Sequence, residues 1–182
     1  MKKILFAAAA IAALFASCDK NDETINSVIP EAADGARIAI TLTGASDTET
    51  RAFFDTTAKA EAWESSLSSL SVFAFDKGGT LIVRRDFSSA ELASKSATFA
   101  LPKSTAGTEC SFYAVANYDA SSAKTRAALT ALVENSAATY NGTFAEVSTA
   151  AKRSGGFVMS GSVTKTVGAV NTTTSVGITL KR

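Results

Sequence analysis

The 182-residue chain contains no histidine, and this absence removes a large set of enzyme mechanisms. Histidine is the commonest general base, the usual partner in Ser and Cys catalytic triads, and the commonest transition-metal ligand. Acidic residues such as Asp55, Asp86 and Glu146 are scattered, without the clustering of a metal site or a catalytic carboxylate pair. The sequence therefore predicts no enzyme activity, no metal and no cofactor.

Charge and cysteine content narrow the choice of partners further. The formal net charge is +1, so the chain has almost no surplus of basic residues with which to neutralise phosphates, and no nucleic acid partner is expected. There are two cysteines, and one of them, Cys18, lies in the N-terminal segment. Cys110 is then alone in the body of the chain, so no internal disulfide is predicted. Its apolar surroundings favour a buried, inert thiol over a nucleophile.

The first residues have the parts of a secretion signal of the lipoprotein type. Lys2 and Lys3 supply the positive start, residues 4–15 supply the apolar stretch, and Ser17 is the small residue before Cys18. The apolar stretch is shorter than the roughly 20 residues that a membrane-spanning helix needs. We therefore predict cleavage between Ser17 and Cys18, with lipid attached to Cys18. The alternative interpretation is a secreted protein in which Cys18 is an ordinary thiol.

The residues after Cys18 differ in composition from the rest of the chain. Residues 19–24 are polar and acid-rich and cannot build a core, so residues 18–35 are predicted to be the lipidated cysteine and a flexible tether. Residues 36–182 have room for one domain with a substantial core. The predicted organisation is a signal peptide over 1–17, a tether over 18–35 and one domain over 36–182.

The body of the chain begins with a strand and a hairpin. Ile38, Ile40 and Leu42 alternate with polar or small residues, which predicts a half-buried strand over 36–43. Residues 70–75 then lead through an Asp-Lys-Gly-Gly turn into a second apolar run, as is typical of a β-hairpin.

Further strands complete the pattern. Residues 97–101 alternate up to Pro102, which ends that strand. Residues 110–117 are apolar on both faces and predict a buried central strand, and residues 157–159 and 176–180 supply closing strands. The pattern predicts a mainly β fold, an antiparallel β-sandwich of transthyretin-like or Greek-key type.

One or two short helices are expected beside the strands. The convincing one follows the central strand, where Ser121 or Ser122 is suited to cap a helix. Leu129, Leu132 and Val133 lie on one face of this segment, which contains neither glycine nor proline.

Five segments occur in an order that is informative about the family. Residues 70–81 look like a first core hairpin, and residues 99–102 and 113–117 look like the next pair of strands. Residues 157–161 match an apolar-Met-Ser/Thr-Gly strand after a helix, and residues 176–182 look like a closing strand. In this order, together with the lipoprotein signal, they resemble the N-terminal domain of the fimbrillin family, the type V pilins and related fimbrial subunits of Bacteroidetes-type bacteria.

The resemblance implies a structural subunit of a cell-surface fimbrium that assembles by strand exchange and supports adhesion. In fimbrillins the first strand plugs a groove in the lipidated precursor, and a neighbouring subunit later supplies a replacement strand. A sheet that lacks one strand exposes unpaired backbone groups and an apolar groove, and an incoming strand satisfies both. Here the plug strand would be residues 36–43, with Ile38, Ile40 and Leu42 toward the core.

The resemblance also implies maturation by an arginine-specific protease. A polar loop over residues 44–52 follows the plug strand, and we predict the cut between Arg51 and Ala52, which would remove residues 36–51. Arg37 is the competing site, but it lies inside the strand, where a folded sheet hides it from a protease. The cut would also release the protein from its lipid.

Partners and localisation follow from the same resemblance. The expected partners are other fimbrial subunits, in a homopolymer or a heteropolymer, the protease, and the outer membrane through the lipid anchor. Residues 19–24 resemble the acidic export signal of surface-exposed lipoproteins, so the precursor is expected on the cell surface and the processed form in the fimbrium. Fimbrillins usually carry a second, C-terminal β-sandwich domain that supplies the donor strand, and this sequence is expected to lack it.

A second class of function is a surface lipoprotein that does not polymerise. It would be a fimbrial anchor or tip, or a sandwich that binds a glycan or a protein, because such domains host many recognition functions. Sugar sites need exposed aromatic side chains beside polar groups, and Trp63, Tyr118 and Tyr140 are the candidates.

Overall fold

The computed structural model describes residues 35–43, 66–137 and 155–182, with the backbone alone for residues 133–137. Seven strands and two α-helices lie in these ranges. They are β1 (Ala36–Thr43), β2 (Leu70–Phe75), β3 (Leu81–Asp86), α1 (Ser89–Ser94), β4 (Ser96–Leu101), β5 (Glu109–Ala116), α2 (Arg126–Ala137), β6 (Met159–Thr166) and β7 (Thr173–Thr179). The strands at 36–43, 70–75 and 97–101 confirm those predictions, while the closing strand β6 begins at Met159 rather than at Phe157.

The strands form two sheets, as a β-sandwich requires. One sheet has three strands in the order β4-β1-β7, and the other has four in the order β3-β2-β5-β6. One hydrophobic core draws buried side chains from both, including Ile38 and Leu101 from the first sheet and Val72 and Phe112 from the second. The predicted sandwich is therefore confirmed, and β5 is a central strand as expected.

One strand pair departs from the antiparallel prediction. β1 runs antiparallel to β4 but parallel to β7, with Ile40 opposite Ala97 on one side and opposite Val176 on the other. Parallel neighbours need a long connection, which is met here because β1 and β7 lie at opposite ends of the described chain.

The helix predicted after the central strand is present as α2, but its predicted cap is not, and the short helix α1 was not predicted from the sequence. The capping serines predicted for α2 are wrong: the Ser121 amide donates to Asp119, and the Thr125 hydroxyl accepts from the Ala128 amide at 3.1 Å, next to the helix start at Arg126. The short helix α1 starts at a capping box, in which the Ser88 hydroxyl accepts from the Glu91 amide and the Glu91 carboxylate accepts from the Ser88 amide.

A second hydrophobic cluster covers the outer face of the four-stranded sheet. Phe73 and Phe75 stack there with ring centroids 6.2 Å apart, and Tyr113 meets Phe75 edge-on at 5.8 Å. Leu129 of α2 is fully buried in this cluster, and Leu132 is half-buried against it. Helix α2 is thereby held against this sheet, on the side away from the three-stranded sheet.

The two sheets meet where β6 and the end of β7 cross. Ser160 and Lys181 exchange two backbone hydrogen bonds at 2.8 Å, so the chain after β7 pairs with the edge of the other sheet. Gly161 makes this crossing possible, because a Cβ at this position would lie 2.1 Å from the Thr179 carbonyl oxygen.

We predict that Gly161→Ala lowers the free energy of unfolding by about 1–3 kcal/mol, because the added methyl group forces the two strands apart. The matched control is Gly177→Ala on β7, where an added Cβ has no atom within 4 Å. Thermal unfolding followed by circular dichroism measures both. Equal melting temperatures for the two variants would contradict the steric role of Gly161.

Candidate functional site

The candidate site is the slot that β1 fills between β4 and β7. β1 is the central strand of its sheet, and β4 and β7 are each paired in that sheet with β1 alone. The sequence predicts burial of one face of β1, and the structure adds that both of its backbone edges are paired.

The core-facing side chains of β1 fill the slot completely. None of them is more than 4 % exposed: Ala36, Ile38, Ile40 and Leu42. The alternate residues Arg37, Thr41 and Thr43 are exposed on the opposite face. The predicted orientation of Ile38, Ile40 and Leu42 is therefore what the structure has.

Hydrogen bonds fix the C-terminal end of β1 to both walls of the slot. The Leu42 amide donates to the Lys95 carbonyl at 2.9 Å, just before β4. The Leu180 amide donates to the Thr43 carbonyl at 2.8 Å, and the Thr43 and Thr179 hydroxyls lie 3.0 Å apart. This end of the strand is the one from which the chain continues toward Arg51.

Removal of β1 would expose three things at once: one row of backbone groups on β4, another on β7, and the apolar floor between them. Full burial of each Ile or Leu side chain contributes about 1.5–3 kcal/mol, and unpaired backbone groups add to the cost. Such an open slot is the kind of surface to which an extended segment can add as a strand.

The predicted processing residues lie outside the described residues. These are Ser17 and Cys18 at the signal cleavage and lipidation site, and Arg51 and Ala52 at the maturation site. Arg37, the competing protease site, lies within β1 opposite Ala100 and Thr173, so its backbone is paired on both sides. A protease that needs an extended, unpaired segment is thus kept from Arg37 by the folded sheet.

Of the aromatic residues considered for glycan binding, the structure describes Tyr118. Tyr118 is half-buried and packs against the outer hydrophobic cluster, while Trp63 and Tyr140 lie outside the described residues. In the described ranges no three His, Cys, Asp or Glu side chains gather into a metal-binding group. Neither described helix has the length and apolar composition to span a bilayer.

Asn117 is a structurally important residue to which sequence analysis gave no role. It follows β5 in the left-handed conformation, with φ 59°, and is 4 % exposed. Its side-chain oxygen accepts from the Ser68 amide at 2.8 Å, and its side-chain nitrogen donates to the carbonyls of Ser66 at 2.7 Å and Phe157 at 2.9 Å. Asn117 thus joins the chain before β2 to the chain before β6. A lone asparagine at the end of an apolar strand was the available signal.

Cys110 is fully buried in β5, as its apolar surroundings predicted. Desolvation by burial raises the pKa of its thiol, against a smaller lowering by a hydrogen bond from Thr108. The thiol is protonated at neutral pH and out of reach of solvent, which makes it a packing residue rather than a nucleophile.

A family model described as "Major fimbrial subunit protein (FimA)" matches residues 36–182. The chain belongs to this family. The matched region begins with β1 and includes every described strand, so the slot is part of the family domain. The resemblance to fimbrillins found in the sequence is confirmed, and the FimA family is one of fimbrial subunits at the cell surface rather than of enzymes.

Solved structures of fimbrial proteins match this chain at low sequence identity and with TM-scores below 0.5. A fimbrial assembly protein from Parabacteroides distasonis is 19 % identical, with a TM-score of 0.47, and the match covers 80 % of this chain and 52 % of that one. The tip fimbrial protein Mfa3 from Porphyromonas gingivalis, with C-terminal truncation, is 14 % identical, with a TM-score of 0.45 and coverage of 81 % and 48 %. The chain thus spans about half the length of these proteins. No curated protein matches it significantly.

We expect Ile40→Asp to lower the free energy of unfolding by about 2 kcal/mol or more, because it places an unpaired carboxylate in the core. Thr41→Asp, on the exposed face of the same strand, is the matched control and should change stability by less than about 0.5 kcal/mol. Urea unfolding of both variants is the measurement. An Ile40→Asp variant as stable as the control would show that β1 does not fill the slot.

Asn117→Gly keeps the left-handed backbone accessible but removes the side-chain hydrogen bonds. We predict a loss of about 2–4 kcal/mol, because the buried side-chain hydrogen bonds to Ser66, Ser68 and Phe157 are removed together. Asn171 is also left-handed, with φ 63°, but is exposed, so Asn171→Gly should be nearly neutral. Urea unfolding compares the two variants, and similar losses would rule out the bridging role of Asn117.

Proposed function

We propose that this protein is a structural subunit of a cell-surface fimbrium, exported as a lipoprotein and assembled by replacement of its first strand. The observation that carries the proposal is the position of β1, which is central in its sheet and buries four side chains, none more than 4 % exposed. Family membership supports the fimbrial role, and the adhesive function of fimbriae follows from it.

The precursor in this proposal is anchored in the outer membrane by lipid on Cys18, exposed on the cell surface and closed by its own β1. An arginine-specific protease cuts between Arg51 and Ala52, which frees β1 from the rest of the chain and the chain from its lipid. A strand from another fimbrial subunit then enters the slot between β4 and β7. The protein acts as a structural component and has no catalytic role.

The order of these steps follows from the contacts of β1. After the cut, no covalent bond joins β1 to β2, and the contacts that hold β1 include its backbone pairing, its apolar burial and the contact between the Thr43 and Thr179 hydroxyls. Each buried Ile or Leu contributes about 1.5–3 kcal/mol to that hold, so β1 leaves slowly unless another strand displaces it. A nicked but closed subunit is therefore the expected intermediate.

The test is digestion of the unlipidated protein, with Cys18 replaced by Ser, by an arginine-specific protease. We expect one cut after Arg51, detected by mass spectrometry. Oligomer ladders on native gels after β1 is displaced would show that this chain also supplies a donor strand. Arg51→Lys should abolish the cut, whereas Arg37→Lys should leave it unchanged because the folded sheet protects that residue.

Two results would contradict parts of the proposal. Resistance at Arg51 in the folded protein would contradict the maturation step and favour a fimbrial anchor or a binding lipoprotein. A clean cut without oligomers, even when β1 has left, would contradict self-assembly and favour a terminal subunit that accepts a strand from a different protein.

A further inference from the structure

Of the three inward-facing pairs between β1 and β4, the two outer ones each combine a small and a large side chain. Ala36 lies opposite Leu101, and Ile40 lies opposite Ala97, so each pair joins one small residue and one large one. Between them Ile38 faces Phe99. Both outer pairs are buried: Ala36 and Leu101 are 0 % exposed, Ile40 is 1 % and Ala97 is 7 %.

The match of small with large residues in the outer pairs has a physical cause in the geometry of antiparallel strands. Side chains directly opposite each other have Cβ atoms about 4.5–5.5 Å apart and share one volume of core. Protein cores leave almost no spare volume, so where both members of a pair are buried a large residue favours a small one across from it. The middle pair is large on both strands, and its Phe99 is only partly buried. Leu101 therefore limits what fits at the Ala36 position, and Ala97 leaves a space that only a large side chain at the Ile40 position fills.

β7, on the other side of the slot, has no residue paired with Ala36. The pairing of β1 with β7 begins at Arg37, opposite Thr173, so Ala36 has its partner on β4 alone. Farther along, Val176 and Ile178 face Ile40 and Leu42 with aliphatic side chains of medium or large size. β4 is thus the neighbour of β1 that has a small residue, Ala97, at one end and a large one, Leu101, at the other.

We propose that Leu101 and Ala97 determine which strand can replace β1. The accepted strand runs antiparallel to β4, places a small residue such as Ala opposite Leu101, and places a large aliphatic residue four positions later opposite Ala97. This inference rests on the proposed strand replacement and specifies the partner: an extended segment with a small side chain at its first inward position and large aliphatic side chains at the later ones.

The test measures strand binding to a slot that has been emptied without using Arg51. A recognition sequence for a site-specific protease is placed between Thr43 and Ser66 of the full chain, the chain is cut, and β1 is removed in denaturant. The protein is refolded with fluorescent peptides, and binding is followed by anisotropy. The reference probe has the sequence of Ala36–Thr43.

Two peptide variants separate the size rule from general hydrophobicity. The Ala36→Leu peptide should bind about tenfold more weakly or worse, because the added carbons overpack the space in front of Leu101. The Ala39→Leu peptide carries the same change on the outward face and should bind within about threefold of the reference. Equal affinities for the two variants would overturn the size rule.

The decisive measurement is rescue by the protein. Leu101→Ala should restore the Ala36→Leu peptide to within about threefold of the reference peptide, since the two changes exchange the small and large positions. If Leu101→Ala does not fold, Ala97→Leu provides the reciprocal test, with weak binding of the reference and recovery by an Ile40→Ala peptide. Absence of rescue in the pair that folds would overturn the role of β4.

The result for the reference peptide separates this inference from the function on which it rests. If the reference does not bind to the emptied slot, strand replacement itself fails. If it binds and the size variants bind equally well, replacement stands and selection by β4 fails.

Discussion

The pairing of β1 on both of its edges is the constraint on which this half of the sandwich depends. β4 and β7 do not pair with each other, so the three-stranded sheet exists only while a strand lies between them. The four-stranded sheet is different, because its strands β3, β2, β5 and β6 form a continuous set of pairs without β1. The dependence on β1 is therefore confined to one sheet, and the four-stranded sheet is a scaffold whose strand pairs do not include β1.

β4 and β7, the two strands beside β1, are each connected to the four-stranded sheet. β4 follows β3 through the short helix α1, whose Glu91 bonds Arg85 at 2.8 Å, and the Phe87 amide bonds the Leu70 carbonyl at 2.9 Å. β7 is connected through the crossing with β6 at Gly161. Both β4 and β7 therefore have contacts with the four-stranded sheet that do not depend on β1.

The sequence predicts the strands well because their signals are local. Alternation at Ile38, Ile40 and Leu42 and the turn residues after Phe75 determine which residues are buried and where the chain reverses. The signals for α1 and for Asn117 were present but short: a capping box before a six-residue helix, and one polar residue after an apolar strand. The contacts of Asn117 join segments about 40 to 50 residues apart along the chain, and no local pattern encodes such a distance.

β1 shows most clearly that a local sequence pattern does not reveal where a strand lies in its sheet. Residues 40–42 and 178–180 have the same sequence, Ile-Thr-Leu, and lie in neighbouring parallel strands of one sheet, with Ile and Leu buried in both cases. Composition and periodicity therefore cannot distinguish the two strands. They differ in position: β1 is paired on both of its edges, whereas β7 is an edge strand after which Lys181 pairs with Ser160 of β6. What sets β1 apart is its place in the sheet, together with the sizes of the residues across from it, and both are properties of the fold rather than of the segment.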